Sequence, residues 1–404
     1  MRRLISLACL AAAPTLGAQQ LAERVAAVRN GTATFSYASR PDVCGVGDVL
    51  MLQWLERGAQ AFVFSPEWGM ASGSWDTRGQ PCSHGPARVH VGVRDGQVTT
   101  LEVSVGARGG GRGRDLGVMA TRDVVDFLLA LARRAPEDVA GRALLAAAVA
   151  DSVTISPRLV AMAEDRGLPA GNREQALKWI GWTARREGNT GADAHVRAIA
   201  ADETDDADVR ERAIRVVELP AGEAFLKDLY RRLTRLELKE RVIRVVGEAG
   251  DAEAIAWLKS IAVDRAEPLD ARERALRTLG EQQESTYLRE VYPRLGHVEL
   301  QDRVLRALGE AGGVENVQFL RRVALDANAA SDLRDRAVRL LSEVGVPTAE
   351  LVQLYDSIPD ADVRDRLIRL LAERGDRAAR DKLAAIAAGD PDPDLRQRAR
   401  RELQ

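Results

Sequence analysis

The spacing of apolar residues divides the chain into two regions with different periods. In residues 32–37, 61–65, 88–93 and 98–105, apolar and polar residues alternate as in half-buried strands. Asp95 and Gly96, between the last two runs, predict a tight hairpin turn. From residue 121 onward, apolar residues recur at helical spacing in short segments. The pattern predicts a short helix near residues 21–28, a small β-rich α+β domain and then a mainly α region.

A helix-opening motif repeats along the helical region at a fixed interval. Its acidic residues recur every 62 residues, with a second series between them: Asp208, Asp270, Asp332 and Asp394, then Glu237, Glu299 and Asp362. We expect these residues to cap helices, with capping boxes where Glu211 or Glu273 follows three positions later. Glycines are expected to end the helices, at Gly250, Gly312, Gly345 and Gly375. The half interval is about the length of one helix pair in a repeat protein.

The second helix of each pair carries a recurring basic-acidic-basic-apolar motif. Its copies begin at Arg173, Arg210, Lys239, Arg272, Gln301, Arg334, Arg364 and Arg396. This array resembles HEAT repeats, and residues 390–399 are similar to the short Asp…Leu-Arg…Ala consensus of that family. The resemblance covers residues 121–404 and implies a right-handed alpha-alpha superhelix of about nine helix pairs, in which residues 121–190 are divergent N-terminal capping repeats. It also implies an interaction scaffold, because most HEAT arrays bind other macromolecules.

The first residues predict export from a bacterial cell. In residues 1–18, two arginines precede a short apolar run and a small-residue cleavage site after Ala18, as in a secretory signal peptide. The mature chain would begin at Gln19, with the β-rich domain in residues 19–106 and a flexible Gly/Arg-rich linker in residues 107–120. No apolar run is long enough for a membrane span. The expected location is therefore periplasmic or secreted.

Charge and motifs exclude several classes of function. The formal net charge is −2, with acidic and basic residues interleaved, which argues against a nucleic-acid partner. The sequence contains no phosphate loop, dinucleotide fingerprint, zinc-protease helix or nucleophile elbow. We therefore expect no cofactor and no catalytic activity, and a scaffold that binds a protein or peptide.

Two rows of arginine are the candidate binding residues. The first arginine row comprises Arg212, Arg241, Arg274, Arg303, Arg336, Arg366 and Arg398, and the second arginine row comprises Arg215, Arg244, Arg277, Arg306, Arg339, Arg369 and Arg401. Residues three apart share one helix face, so the rows would run across successive repeats. In HEAT proteins this face is concave, and it could bind an acidic peptide. Acidic residues four positions before the second row could instead make both rows structural ion-pair ladders.

The β-rich domain offers an alternative site. In an exported chain Cys44 and Cys82 are expected to form a disulfide. With His84 and His90, the same cysteines could form a Cys2His2 zinc site or a Cys–His nucleophile. The alternative function is thus an envelope enzyme, hydrolase-like or metal-dependent, with the repeats as its substrate platform.

Aromatic residues divide into two groups. Rings at Tyr230, Tyr292, Tyr355, Trp257 and Phe319 follow helical spacing and are expected in the core between repeats. Trp179 and Trp182 are less regular and are candidates for an exposed contact. The Trp-bearing stretch at residues 65–76 could be a binding loop or could fold over the sheet as a lid on the core.

Overall fold

The described part of the chain comprises a small sheet region followed by helices. A computed structural model describes residues 15–46, 49–52, 61–65, 69–73, 82–106, 113–219 and 221–404. These residues belong to two compact units, Met1–Glu218 and Leu219–Gln404. Residues 1–14 of the predicted signal peptide, the tryptophan residues of the predicted binding loop and residues 107–112 of the predicted linker lie outside the described residues.

The sheet region contains one helix and two four-stranded sheets. Helix α1 (Leu16–Ala26) comes first, then β1 (Gly31–Tyr37), β2 (Val43–Val46), β3 (Val49–Leu52), β4 (Ala61–Ser65), β5 (Gly69–Gly73), β6 (Ala87–Arg94), β7 (Gln97–Val105) and β8 (Arg114–Val118). One sheet has the order β7-β6-β1-β8 and the other β2-β3-β4-β5. The predicted hairpin joins β6 to β7, and Asp95 (φ 52°) and Gly96 (φ 77°) adopt the positive φ angles that its turn requires.

Strand β8 lies within residues 107–120, where the sequence predicted a flexible linker. It pairs in parallel with β1, and Leu116 is buried while its neighbours are exposed. Gly113 (φ 143°) lets the chain approach β1, because a Cβ there would lie 2.4 Å from the Thr32 carbonyl oxygen. One buried apolar residue among glycines is too weak a pattern to predict a strand. The edge of β1 carries backbone N–H and C=O groups that need hydrogen-bond partners, and β8 supplies them.

Eighteen helices follow the sheets in the described residues and form nine consecutive pairs. In Met1–Glu218 they are α2 (Thr121–Ala132), α3 (Glu137–Ala148), α4 (Ser156–Glu164), α5 (Ala170–Glu187), α6 (Ala192–Ala201) and α7 (Ala207–Val216). In Leu219–Gln404 they are α8 (Glu223–Arg232), α9 (Leu236–Ala249), α10 (Ala252–Val263), α11 (Leu269–Glu281), α12 (Ser285–Val291), α13 (Val298–Ala311), α14 (Val314–Leu325), α15 (Ser331–Glu343), α16 (Thr348–Ser357), α17 (Ala361–Arg374), α18 (Arg377–Gly389) and α19 (Pro393–Glu402). A 3-10 turn (Tyr292–Arg294) extends α12.

The helix pairs pack as a repeat within each unit. In Leu219–Gln404 the second helices α9, α11, α13, α15, α17 and α19 lie side by side, and the first helices α12, α14, α16 and α18 form a parallel row. In Met1–Glu218 the helices α3, α5 and α7 make the same arrangement. Apolar pairs such as Val242 and Ile243, or Leu367 and Ile368, are fully buried between the rows. The predicted mainly α fold with helical repeats and a small sheet region is confirmed.

None of the described helices combines the length and the apolar character that crossing a membrane requires.

The helix starts differ from those predicted, whereas the predicted ends are confirmed. The acidic residues expected as N-caps lie inside the first turn, where they still favour the helix dipole. The capping side chains stand two residues earlier, at Asp206, Asp360 and Asp392, and α9, α11, α13 and α15 have no side-chain cap. Glycines with positive φ follow the helix ends at Gly250, Gly312, Gly345 and Gly375.

Candidate functional site

The first arginine row joins successive second helices by ion pairs. In each case the guanidinium reaches back to an acidic residue of the preceding second helix. The nitrogen–oxygen distances are 2.9 Å for Arg274–Glu240, 2.7 Å for Arg303–Glu273, 2.6 Å for Arg336–Asp302, 2.7 Å for Arg366–Asp335, 2.7 Å for Arg398–Asp365 and 3.6 Å for Arg212–Glu174. Their guanidinium ends lie at a half-buried surface, so this row connects neighbouring repeats.

On α13, α15 and α17 the second arginine row shares its carboxylates with the first row. Asp302 accepts from Arg336 through Oδ1 and from Arg306, four residues along its own helix, through Oδ2 at 2.7 Å. The sharing recurs in the next two layers, where Arg339 lies 3.1 Å from Asp335 and Arg369 pairs with Asp365. Each shared carboxylate therefore faces two guanidinium groups.

At Asp365 these contacts favour the charged form of the carboxylate. Burial opposes ionisation of Asp365, but the hydrogen bonds from Arg398 and Arg369 outweigh it and keep the pKa of Asp365 below its usual range. In these three layers two arginines therefore pair with one carboxylate.

The remaining arginines of the two rows are less uniform. Arg277 pairs forward with Glu281 at 3.3 Å, and Arg215 and Arg241 have interactions of their own. For Arg244 no ion pair occurs within the described part of the chain. A polar cavity of about 160 Å³ lies between α9, α11 and α13, lined by Glu240, Asp270, Glu273, Arg274, Arg277 and Arg303.

A second set of residues, basic except for Gln301, opens the aligned motif and was not predicted as a site. We call it the buried basic position: Arg173, Arg210, Lys239, Arg272, Gln301, Arg334, Arg364 and Arg396. The first, second and fourth of these are buried, and the others are half-buried. Several of these side chains donate from Nε to a carbonyl at the end of the preceding helix, as Arg173 does to Ala163 (2.8 Å) and Arg210 to Ala200 (3.2 Å). Such an arginine supplies a partner for a helix-end carbonyl that has none within its helix.

The buried basic position also pairs with an acid from the loop before the next second helix. Arg173 forms two bonds of 2.6 Å with Asp205, and both side chains are about 95% buried. The equivalent distances are 3.4 Å for Lys239–Glu267, 2.7 Å for Arg334–Asp360 and 3.9 Å for Arg364–Asp390. The recurring first letter of the motif was visible in the sequence. Its acidic partners were not, because they shift by one or two positions from loop to loop.

Of the aromatic residues predicted in the core, Tyr230, Phe319 and Tyr355 are buried, whereas Trp257 and Tyr292 are half-buried. Tyr230 and Trp257 meet edge to face at 5.3 Å, as do Tyr292 and Phe319, so rings from consecutive repeats pack together as predicted. Trp179 and Trp182 are 1% and 8% exposed, so the prediction of an exposed contact there is wrong. The Arg186 guanidinium covers Trp182 at 3.8 Å, and this stacking closes the site to a partner.

The cysteines of the sheet region form the predicted disulfide. Cys44 and Cys82 are bonded, with Cα atoms 5.6 Å apart. His84 Nδ1 lies 3.2 Å from the Val43 carbonyl and His90 Nδ1 lies 3.2 Å from Thr34 Oγ1, so the two histidines have separate partners. No cluster of metal-ligating side chains occurs among the described residues. A Cys–His nucleophile would need the sulfur that the disulfide occupies.

A cavity in Met1–Glu218 has a structural origin. It measures about 270 Å³ and is lined mainly by α5, α6 and the end of α7, including Ile180, Gly181, Ala184 and Val196. No described atom lies within 4 Å of a Cβ built on Gly181, which lines the cavity together with Val216, the last residue of α7. The cavity therefore lies where α5 and α7 do not pack closely.

Comparisons with known proteins give limited information. No protein-family model matches the chain, and no curated protein matches its sequence. The structure of human deoxyhypusine hydroxylase in complex with glycerol is similar at 18% identity, with a TM-score of 0.27, over 61% of this chain and 94% of that chain. A structure of lipovitellin concerned with lipid–protein interactions is similar at 11% identity, with a TM-score of 0.49, over 91% of this chain and 45% of that chain. This chain thus spans less than half of the lipovitellin chain, and neither similarity carries an argument about function.

Proposed function

We propose that this chain is a non-catalytic, HEAT-like repeat scaffold that binds a protein or peptide partner of acidic character through the surface formed by its second helices. The observation that carries the proposal is the sharing of one carboxylate by two arginines at Asp302, Asp335 and Asp365. A guanidinium group has five N–H donors, so an arginine that shares its acid can also donate to a carboxylate of a partner.

The length of this surface favours an extended partner. Neighbouring packed helices lie about 8–10 Å apart, so the arginines of α13, α15, α17 and α19 form a track of roughly 30 Å. A fully extended peptide covers that distance in about nine residues. Repeat proteins present continuous surfaces of this kind because each repeat contacts only its neighbours.

The proposed location is the periplasm or the extracellular space. The support is the predicted signal peptide in residues 1–18 together with the Cys44–Cys82 disulfide, which persists in oxidising compartments. Helix α1 begins at Leu16, and its N-cap Thr15 hydrogen-bonds to Asp123. Cleavage after Ala18 would remove that first turn, so the intact mass of the exported protein tests the proposed processing site directly.

The binding test replaces three second-row arginines and measures a defined acidic peptide. In the triple variant R306Q/R339Q/R369Q, the first-row ion pairs between helices are kept. Fluorescein-labelled deca-glutamate should bind the wild type with an affinity that falls with salt. Three lost contacts at roughly 0.5 kcal/mol each should weaken binding about tenfold in the triple variant. Fluorescence anisotropy measures the affinity of each protein for the peptide and its dependence on salt.

The matched control removes the same charge elsewhere. Arg231, Arg232 and Arg377 are exposed on α8 and α18, away from the second helices. The variant R231Q/R232Q/R377Q should bind the peptide like the wild type, and circular dichroism should show unchanged helicity in both variants. Equal weakening in both triple variants, or no peptide binding by the wild type, would exclude the second arginine row as the binding surface.

A further inference from the structure

The buried basic position follows a charge balance within each unit. At Arg173, Lys239, Arg334 and Arg364 the next loop supplies an acid. Where the position holds the neutral Gln301, the aligned loop residues 328–330 contain no acid. At these five positions base and acid are present together or absent together. The physical reason is that a buried cation without a counter-charge is destabilising.

Arg272 breaks this balance. It is 8% exposed, and its Nε donates to the Ala262 carbonyl at 3.2 Å. Its two Nη nitrogens have no acceptor, and no carboxylate lies within 4.0 Å of the guanidinium, among the residues that the structure describes. Asp264 acts on it only at longer range, and burial followed by the charge of Arg265 lowers the pKa of Arg272.

The aligned loop before α13 holds no acid at the positions where other loops place one, and we call the space beside Gly296 the gap. It reads Leu295, Gly296 and His297, so the positions of Asp205, Glu267 and Asp360 hold no carboxylate here. Gly296 adopts a φ of 61° and has no side chain to fill the space. Arg265 Nη2 lies 4.0 Å from the point that a Cβ on Gly296 would occupy, so a second guanidinium borders the same gap.

We infer that Arg272 and Arg265 bind an oxyanion, a carboxylate or phosphate group supplied by a ligand, in the gap beside Gly296. The ligand group takes the place that Asp360 occupies beside Arg334. Two guanidinium groups suit such an anion because their N–H donors can form paired bonds to its oxygens. This site lies apart from the second arginine row, so it does not depend on the proposed function and can fail separately from it.

The test titrates the full chain with inorganic phosphate and, separately, with acetate at constant ionic strength, by isothermal titration calorimetry. Wild-type protein should bind at least one of the two anions. Binding of acetate as well as phosphate assigns a carboxylate-type ligand, and binding of phosphate alone assigns a phosphate-type ligand. The R272Q variant should weaken binding at least tenfold, and Gln301 shows that glutamine fits this position in the repeat.

Two further variants keep the test decisive. H297D supplies the missing acid, because His297 is the N-cap of α13 and stands where Asp360 caps α17 and pairs with Arg334. It should abolish anion binding and raise the melting temperature without ligand. R334Q removes a base whose acid is already present, so it should leave anion binding unchanged. Absence of binding by the wild type, or equal binding by wild type, R272Q and H297D, would overturn the inference.

Discussion

At the scale of single residues, burial decides what each ion pair contributes. Arg173 and Asp205 are about 95% buried and joined by two bonds, whereas Arg232 and Asp228 are more than half exposed. Exposed pairs stabilise a fold by about 0–1 kcal/mol, because water already solvates both charges. A buried pair that loses one partner leaves a charge without solvent or counter-charge. An arginine–aspartate pair therefore contributes differently to stability at a buried and at an exposed position.

The Asp205→Asn substitution tests this difference. It should lower the free energy of unfolding by about 3–5 kcal/mol, since it leaves the Arg173 charge buried without its partner. The matched change Asp228→Asn, in the exposed pair with Arg232, should change it by less than about 0.5 kcal/mol. Urea unfolding followed by circular dichroism measures both. Similar effects of the two changes would contradict the distinction.

The pH dependence of stability should show the contribution of the Arg173–Asp205 pair. The pKa of Asp205 lies below its usual range because Arg173 donates to its carboxylate, against an opposing effect of burial. A group with a depressed folded pKa stabilises the fold above its unfolded pKa of about 4, and this contribution is lost as the pH falls through the folded value. Wild-type stability should therefore decline below about pH 4 more steeply than that of Asp205→Asn. Parallel pH profiles would count against the assignment.

At the scale of elements, a small residue eight positions after the buried basic position lets the second helices approach each other. Cβ atoms built on Gly247, Gly280 and Gly309 would lie 2.2, 2.8 and 2.7 Å from atoms of Thr278, Ala307 and Leu340 on the next second helix. Glycine is unfavourable inside a helix, so its recurrence here reflects packing. At Gly181 this close approach is absent, because a cavity that Gly181 and Val216 both line separates α5 from α7 there.

Glycine-to-alanine substitutions at two aligned positions should therefore have opposite signs. Gly247→Ala would place a Cβ 2.2 Å from Thr278 Cγ2, and the overpacking of about 1–3 kcal/mol should exceed the gain in helix propensity. Gly181→Ala meets no described atom within 4 Å and should stabilise the protein by about 0.5–1 kcal/mol. The change in melting temperature of each variant, measured by thermal unfolding, gives the sign of its effect on stability. A stabilised Gly247→Ala variant would refute the close-approach explanation.

At the scale of the whole molecule, the sheet region and the first helices share one core. Phe35 of β1 and Phe127 of α2 meet edge to face at 6.0 Å, and Tyr37 Oη donates to the Ala146 carbonyl of α3 at 2.5 Å. Burial raises the pKa of Tyr37, which keeps this donor protonated. Strand β8 returns to β1 before α2 begins. These contacts explain why the sheets and helices α1–α7 belong to one compact unit.

Removing the disulfide should loosen this unit and leave the other unchanged. The bond joins residues 38 positions apart, and closing a loop of that length restricts the unfolded chain by about 4 kcal/mol in the chain-entropy description. In a C44S/C82S variant, hydrogen exchange measured by mass spectrometry should accelerate in β2 and in residues 82–94. Peptides from Leu219–Gln404 serve as the internal control. Equal acceleration in both units would contradict the expectation.

Much of the architecture followed from local patterns. Helical spacing, the 62-residue interval and glycines such as Gly250 and Gly375 predicted the helix pairs and their ends, because these signals act within one or two turns of chain. The N-caps were misplaced by two residues, since the loop geometry selects Asp206 over Asp208. The arginine rows and the acids four residues before the second row were predicted, but the second pairing of each shared acid, with a first-row arginine of the next helix, was not.

The sequence by itself determined that this protein consists of helix pairs behind a small sheet region, with Cys44 joined to Cys82, because periodicity and residue type encode each of these locally. Only the tertiary structure decided which charges meet. It buries Trp179 and Trp182, gives Asp302 two arginines and leaves Arg272 without an acid. Such contacts depend on how far each loop and helix extends beside its neighbour, and one residue of difference in length changes the partner.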